Sequence, residues 1–122
     1  MRAIFINTAK QEVTEFDFTG DISEITDKLN CDYFTTVRYD NSHDTLFVDD
    51  MGLYTDSPMF TIGRYPQPLK GNGVIIGADR EGESISSASS AEGIKSLVSF
   101  EGSPSFELKF MFAMISRGNL DD

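Results

Sequence analysis

The sequence predicts an α+β domain: an antiparallel or mixed sheet of about six strands with two short helices packed against one face. Three observations predict it. Short runs rich in β-branched and aromatic residues recur along the chain, among them AIFI at 3–6, TTVRY at 35–39, TLFV at 45–48 and VII at 74–76, each bounded by turn-forming residues. Two segments place apolar residues three and four apart behind a helix-capping residue. The 122 residues, 39% of them hydrophobic, are enough for one useful core but not comfortably for two. Residues 1–122 are therefore read as a single domain.

Taken in order, Ala3 to Asn7 has the apolar run of a buried strand, and Val13 to Phe18 returns across a polar turn to make a hairpin with it. Gly20 ends the second strand. Asp21 and Glu24 then have the spacing of an N-cap and its third-position partner, and Ile22, Ile25 and Leu29 mark one face of a helix that reaches about Asn30. Phe34 to Tyr39 and Thr45 to Val48 read as a second hairpin, joined by a polar connection that includes His43 and Asp44.

Gly52 to Met59 reads as a loop and Phe60 to Gly63 as a return to the sheet. Pro66 and Pro68 keep the next residues out of a helix or central strand, Gly71 and Gly73 permit a reversal, and Val74 to Ile76 is a compact strand between glycines. The serine-rich stretch at 82–90 reads as a connection or lid. Ser89 and Glu92 have capping-box spacing for a second helix, with Ile94, Leu97 and Val98 as its apolar face through about Phe100. Ser105 to Ile115 gives the longest alternation, and its second, increasingly apolar face suits either tertiary packing or a homo-oligomer built on this C-terminal strand.

Charge narrows the function classes. Twenty acidic against ten basic residues give a formal net charge of −10, and the imbalance lies in the first half: residues 1–61 hold twelve acids and four bases, residues 62–122 eight and six. Phosphate contact needs clustered Lys and Arg, so direct nucleic-acid binding is not expected. Solubility is one account of the acidity, and a basic protein partner or imitation of nucleic acid is another. One cysteine, Cys31, and one histidine, His43, are too few for a structural zinc site, and no disulfide can form within the chain. Asp44, Asp49, Asp50 and Asp56 lack calcium-loop spacing, so no metal is expected. No run approaches the roughly 18 apolar residues of a membrane helix, and the apolar run at the N-terminus stops at Asn7, so a cytoplasmic protein is expected.

The N-terminal strand with its Val13-led hairpin, the TLFVD stretch at Thr45 to Asp49 and above all GRYPQPLKGNGVIIG at Gly63 to Gly77 resemble the family known as domain of unknown function 3846, found in bacteria, phages and mobile elements. In that family an apolar strand leads into a Tyr-Pro-Gln-Pro-like turn and then into a glycine-flanked strand. Here those features fall on Tyr65, Pro66, Gln67 and Pro68 and on Gly73 to Gly77. The resemblance covers roughly residues 1–85, which makes residues 86–122 a candidate specialised extension. It implies no activity that can be carried over.

Two groups of residues are the candidate binding elements. In the central turn, Arg64 is a fork-shaped donor, Tyr65 can stack, Gln67 donates and accepts, and Asn72 sits between glycines that allow close backbone approach. The second group is the acidic set Asp44, Asp49 and Asp50. GNGVIIG precedes an apolar strand and lacks a Walker lysine, so it is no phosphate-binding fingerprint, and no cofactor is expected. The serines come without a base and an oxyanion site. The expected function is that of a small acidic accessory domain that binds a protein in a bacterial, phage or mobile-element system, in a specialised form as an inhibitor of a nucleic-acid-binding or defence protein by charge mimicry. The alternatives are an enzyme acting on a nucleotide or small molecule through Arg64, Tyr65 and an Asp such as Asp79, and a structural homo-oligomer.

Overall fold

The computed structural model describes residues 1–40, 43–50 and 58–102. Within them the chain runs β1 (Arg2–Asn7), β2 (Glu12–Asp17), α1 (Ile22–Leu29), β3 (Phe34–Val37), β4 (Asp44–Asp49), β5 (Met59–Ile62), β6 (Leu69–Lys70), β7 (Gly73–Ala78), β8 (Ser84–Ile85), α2 (Ala91–Lys95) and β9 (Val98–Gly102). Six strands form one antiparallel sheet in the order β2-β1-β7-β4-β3, with β8 paired to β7 at Gly77 and Ala78. A second, three-stranded antiparallel sheet has the order β6-β5-β9. The architecture is α+β, as predicted, and both expected hairpins, β1–β2 and β3–β4, are present.

The strand VII of the sequence becomes the centre of the large sheet. β7 pairs with β1 at Gly73 to Ile75 and with β4 from Gly73 to Gly77. Its residues Gly73 to Gly77 are all buried, which is why an unbroken apolar run rather than an alternating one specifies it. Alternation along β1, β4 and β7 then divides the core in two. Ile4, Ile6, Leu46, Val48 and Ile75 face Phe60 and Ile62 of the small sheet and Ile94 of α2. Ala3, Val74 and Ile76 face Ile25 and Leu29 of α1, with Phe18 beside them. The two helices thus cover opposite faces, where the sequence was read as placing both on one. A sheet whose central strand is apolar on both sides needs cover on both.

Local chemistry explains the helix ends. Asp21 caps α1 by accepting from the Ser23 N–H at 3.0 Å, and this bond to the backbone holds its carboxyl below the usual range. Glu24 does not return to Asp21 but accepts from both the backbone N–H and the hydroxyl of Thr19. Asn30 closes the helix in the left-handed region at φ 54°. Ile22, expected on the buried face, is 52% exposed, so the sheet covers α1 only from Ile25 onward among the described residues. In α2 the cap is Ser90, one residue later than expected, accepting from the Gly93 N–H at 3.1 Å. The helix stops at Lys95 instead of continuing to Phe100. Gly93 weakens it, and Val98 and Phe100 on either side of exposed Ser99 suit a strand, which pairs with β5 as β9.

The expected loop at 52–59 lies outside the described residues except for its last two, Met59 opening β5, and the expected strand at 105–115, with any oligomer built on it, lies outside them entirely. No helix among the described residues is long and apolar enough to cross a membrane.

Candidate functional site

The central turn is built on two glycines with positive φ. β5 ends at Ile62, Gly63 turns at φ 51°, and the Tyr65 N–H donates back to the Ile62 carbonyl at 3.1 Å. The chain then passes Pro66, Gln67 and Pro68 and pairs again as β6, opposite Met59 and Phe60. Gly71, at φ 83°, donates to the Pro58 carbonyl at 2.8 Å and closes the reversal into β7. Pinned at both ends, the turn leaves Arg64 and Gln67 exposed while the Tyr65 ring packs half-buried against the core.

Between this turn and the β3–β4 hairpin lies a groove of about 250 Å³. Thr35, Val37 and Val48 line its hairpin side, Tyr65, Gln67 and the stretch from Pro68 to Lys70 line the other, and Asp49 and Asp50 stand at the end of β4. Two candidate groups that the sequence offered separately, the Tyr-Pro-Gln-Pro turn and the acids after TLFV, therefore meet at one place. The meeting is partial. Asp49 is the cross-strand partner of Phe34, which packs on the α1 side of the sheet, and its carboxylate is close enough to Cys31 to add to the rise of that thiol's pKa. Asp50 is exposed, and its N–H donates to the Tyr33 carbonyl at 3.0 Å.

Asp44 is elsewhere altogether. Expected in a polar surface connection, it is the first residue of β4 and 1% exposed. Its carboxylate accepts from the Ser87 hydroxyl at 2.7 Å and the Ala88 N–H at 2.8 Å. Arg2 completes this seam: its guanidinium donates to the Ser87 carbonyl at 2.8 Å, and its backbone exchanges bonds with Ser86 and Ser87. The serine stretch read as a connection or lid is thus sewn to the sheet at Ser86 to Ala88. The signal that finds Asp44 is parity, because Asp44, Leu46 and Val48 occupy alternate positions of one strand and share its buried side. Asn72 is also structural. Its side-chain oxygen accepts from the Thr8 N–H and hydroxyl, and its amide donates to the Lys28 carbonyl, tying β1, α1 and β7 together.

Arg64 opens onto a different concavity, of about 410 Å³, with Tyr39, Asp40, Gly63 and Leu97. Tyr39 is 6% exposed, and among the described residues its buried hydroxyl lies beside Ser89 and Asp44 without a hydrogen bond of good geometry. Burial pushes the phenol well above its ordinary range, and the carboxylates of Asp44 and Asp40 push the same way. Asp79, named with Arg64 and Tyr65 in the enzymatic alternative, lines neither concavity; its carboxylate accepts from the N–H groups of Glu81 and Glu83 and shapes the β7–β8 turn. Burial, with Asp49 and Asp32 nearby, raises the Cys31 thiol, the opposite of what a nucleophile needs. Among the described residues no group of three His, Cys, Asp or Glu side chains is placed to hold a metal ion.

Residues 1–99 match the model of a family described as a domain of unknown function, number 3846. The match runs through α2 and into β9, past the residues that carried the resemblance in the sequence. A relative, the uncharacterized protein y4iR of Sinorhizobium fredii, is 42% identical over 64 residues, which are 52% of this chain and 38% of the relative. The chain therefore spans well under half the length of that relative. No solved structure matches this chain.

Proposed function

Because the chain belongs to the domain of unknown function 3846 family, whose description assigns no chemistry, we propose from the geometry that it is a small acidic accessory domain that binds another protein in the cytoplasm of a bacterial, phage or mobile-element system. The observation that carries this reading is the groove in which Tyr65 and Gln67 face the β3–β4 hairpin with Asp50 at its end. A half-buried aromatic ring, an amide that both donates and accepts, and a carboxylate at the rim are the components of a peptide-recognition surface. A net charge of −10 favours a partner with a basic surface. The bacterial relative agrees with the bacterial setting.

The narrower form, an inhibitor whose acids stand in for nucleic-acid phosphates, draws no support from Asp44, Asp49 and Asp50. Asp44 is buried, which leaves Asp49 and Asp50 at the groove, and two adjacent carboxylates do not trace a run of phosphates. The enzymatic alternative draws less support than binding, since Arg64, Tyr65 and Asp79 are not gathered in one pocket.

Tagged protein incubated with native-host extract tests the reading, with retained proteins identified by mass spectrometry. The combined variant Asp50→Lys, Tyr65→Ala, Gln67→Ala is compared with Glu81→Lys in an exposed turn distant in sequence from the groove. The expected outcome is a partner held equally by the parent chain and Glu81→Lys and weakened at least about tenfold by the groove variant. Equal retention by the groove variant, or no specific partner even at low salt, would overturn the assignment.

A further inference from the structure

We propose that the outer edge of β3 accepts an extended, basic segment of a protein partner as an added strand. The inference rests on the protein-binding reading above and specifies what kind of segment binds and how. β3 ends the six-stranded sheet, and among the described residues it pairs only with β4. The Asp50 N–H bonds to the Tyr33 carbonyl, so in the register from Phe34↔Asp49 to Val37↔Leu46 the backbone groups of Thr35 and Val37 face β4. Those of Phe34 and Thr36 consequently face outward, two donors and two acceptors aimed away from the sheet.

Among the described residues the other edge strands are defended and this one is not. β2 carries Glu12, Glu15 and Asp17 and has α2 packed against it. β6 is two residues long, follows Pro66 and Pro68 and ends on Lys70, while β9 carries Glu101. Charges, prolines and short length are the devices by which proteins stop edges from pairing. β3, with the sequence FTTV, has neither charge nor proline. Its Thr35 and Val37 line the groove, so a strand added beside it sends every second side chain toward the space that Tyr65 and Gln67 also line. Charge selects the occupant. Arg38 follows β3 at one end and Lys70 lines the groove, but at the Tyr33 end Asp32 and Asp50 are both exposed, and basic side chains at that end of the incoming strand would meet them there.

The test uses two fluorescent octapeptides on the full chain, one alternating Lys and Val and the other alternating Glu and Val. The parent chain is expected to bind the Lys/Val peptide saturably below about 1 mM and the Glu/Val peptide at least about tenfold more weakly. Thr36→Pro removes an outward N–H and crowds the edge while leaving every bond to β4 in place, so it is expected to keep its urea midpoint and lose the Lys/Val peptide by at least about tenfold. Peptide addition is expected to slow hydrogen exchange at the Phe34 and Thr36 amides. Binding undiminished in Thr36→Pro would overturn strand addition while leaving protein binding at the groove intact. Loss of the host partner from the groove variant but not from Thr36→Pro would separate the two in the same way. Outward amides already protected in the peptide-free chain, a dimer that Thr36→Pro dissociates, or no binding of the Lys/Val peptide would each overturn the proposal.

Discussion

Among the described residues the Tyr39 hydroxyl is enclosed against the core beside Ser89 and the Asp44 carboxylate without a hydrogen bond of good geometry. An unsatisfied buried hydroxyl opposes folding, so Tyr39→Phe is expected to stabilise the chain by about 1 kcal/mol, read as a higher urea midpoint at pH 7. The same variant carries a pH signature. The folded phenol titrates above its unfolded value near 10, so its contribution is constant below about pH 10. Above that, the unfolded chain releases the proton first and stability falls as pH rises. Tyr39→Phe is expected to fall less steeply than the parent over that range, and identical slopes would contradict the burial argument. Little of this was legible in the sequence, where Tyr39 closes a strand and Asp44 looks like part of a surface connection. The parity that puts Asp44 inside was present, but it extends the TLFV pattern by one residue through a charged side chain. The bonds from Ser87 and Ala88, over forty residues away, are what make that position tolerable.

At the scale of elements, the strands with strong local signals were read within a residue or two, and the failures share a cause. β6 has two residues, and β9 sits where helical spacing and strand alternation both fit the apolar positions, so only the availability of β5 as a partner decides it. The β7–β8 junction shows how tightly such decisions are enforced. A Cβ on Gly77 would lie 2.5 Å from the Ser86 carbonyl oxygen and 3.1 Å from an Ile85 side-chain carbon. The clash is with backbone, so Gly77→Ala is expected to push β8 off β7, cost about 2 kcal/mol and expose the Ser84 and Ser86 region to protease, seen as faster nicking there. On the far side of the sheet the Lys28 amino group lies 4.9 Å and 4.8 Å from the ring centres of Phe5 and Phe16, a cation shared by two strands that no local reading of α1 reveals.

For the whole molecule, the two apolar clusters are opposite sides of the same strands, β1, β4 and β7. Neither layer can be lost alone, so tyrosine fluorescence and far-ultraviolet circular dichroism are expected to trace one coincident urea transition; two separated transitions would show that the small sheet is an independent unit. The candidate groove was half legible for a related reason. Its turn and its acids each had a signature, but their meeting depends on the strand order, which places the β3–β4 hairpin on the far side of β7 from β1. That order has a consequence on the ribosome. Both hairpins emerge before the strand that joins them, and at about 5–20 residues per second the interval between Asp49 and Ala78 lasts roughly 1.5–6 seconds. Throughout it the nascent chain holds two unjoined half-sheets, with Ile4 and Ile6 on one and Leu46 and Val48 on the other lacking their partner strand. The insertion of β7 is a non-local step and is therefore expected to be slow, which leaves apolar strand faces open to a chaperone in the meantime.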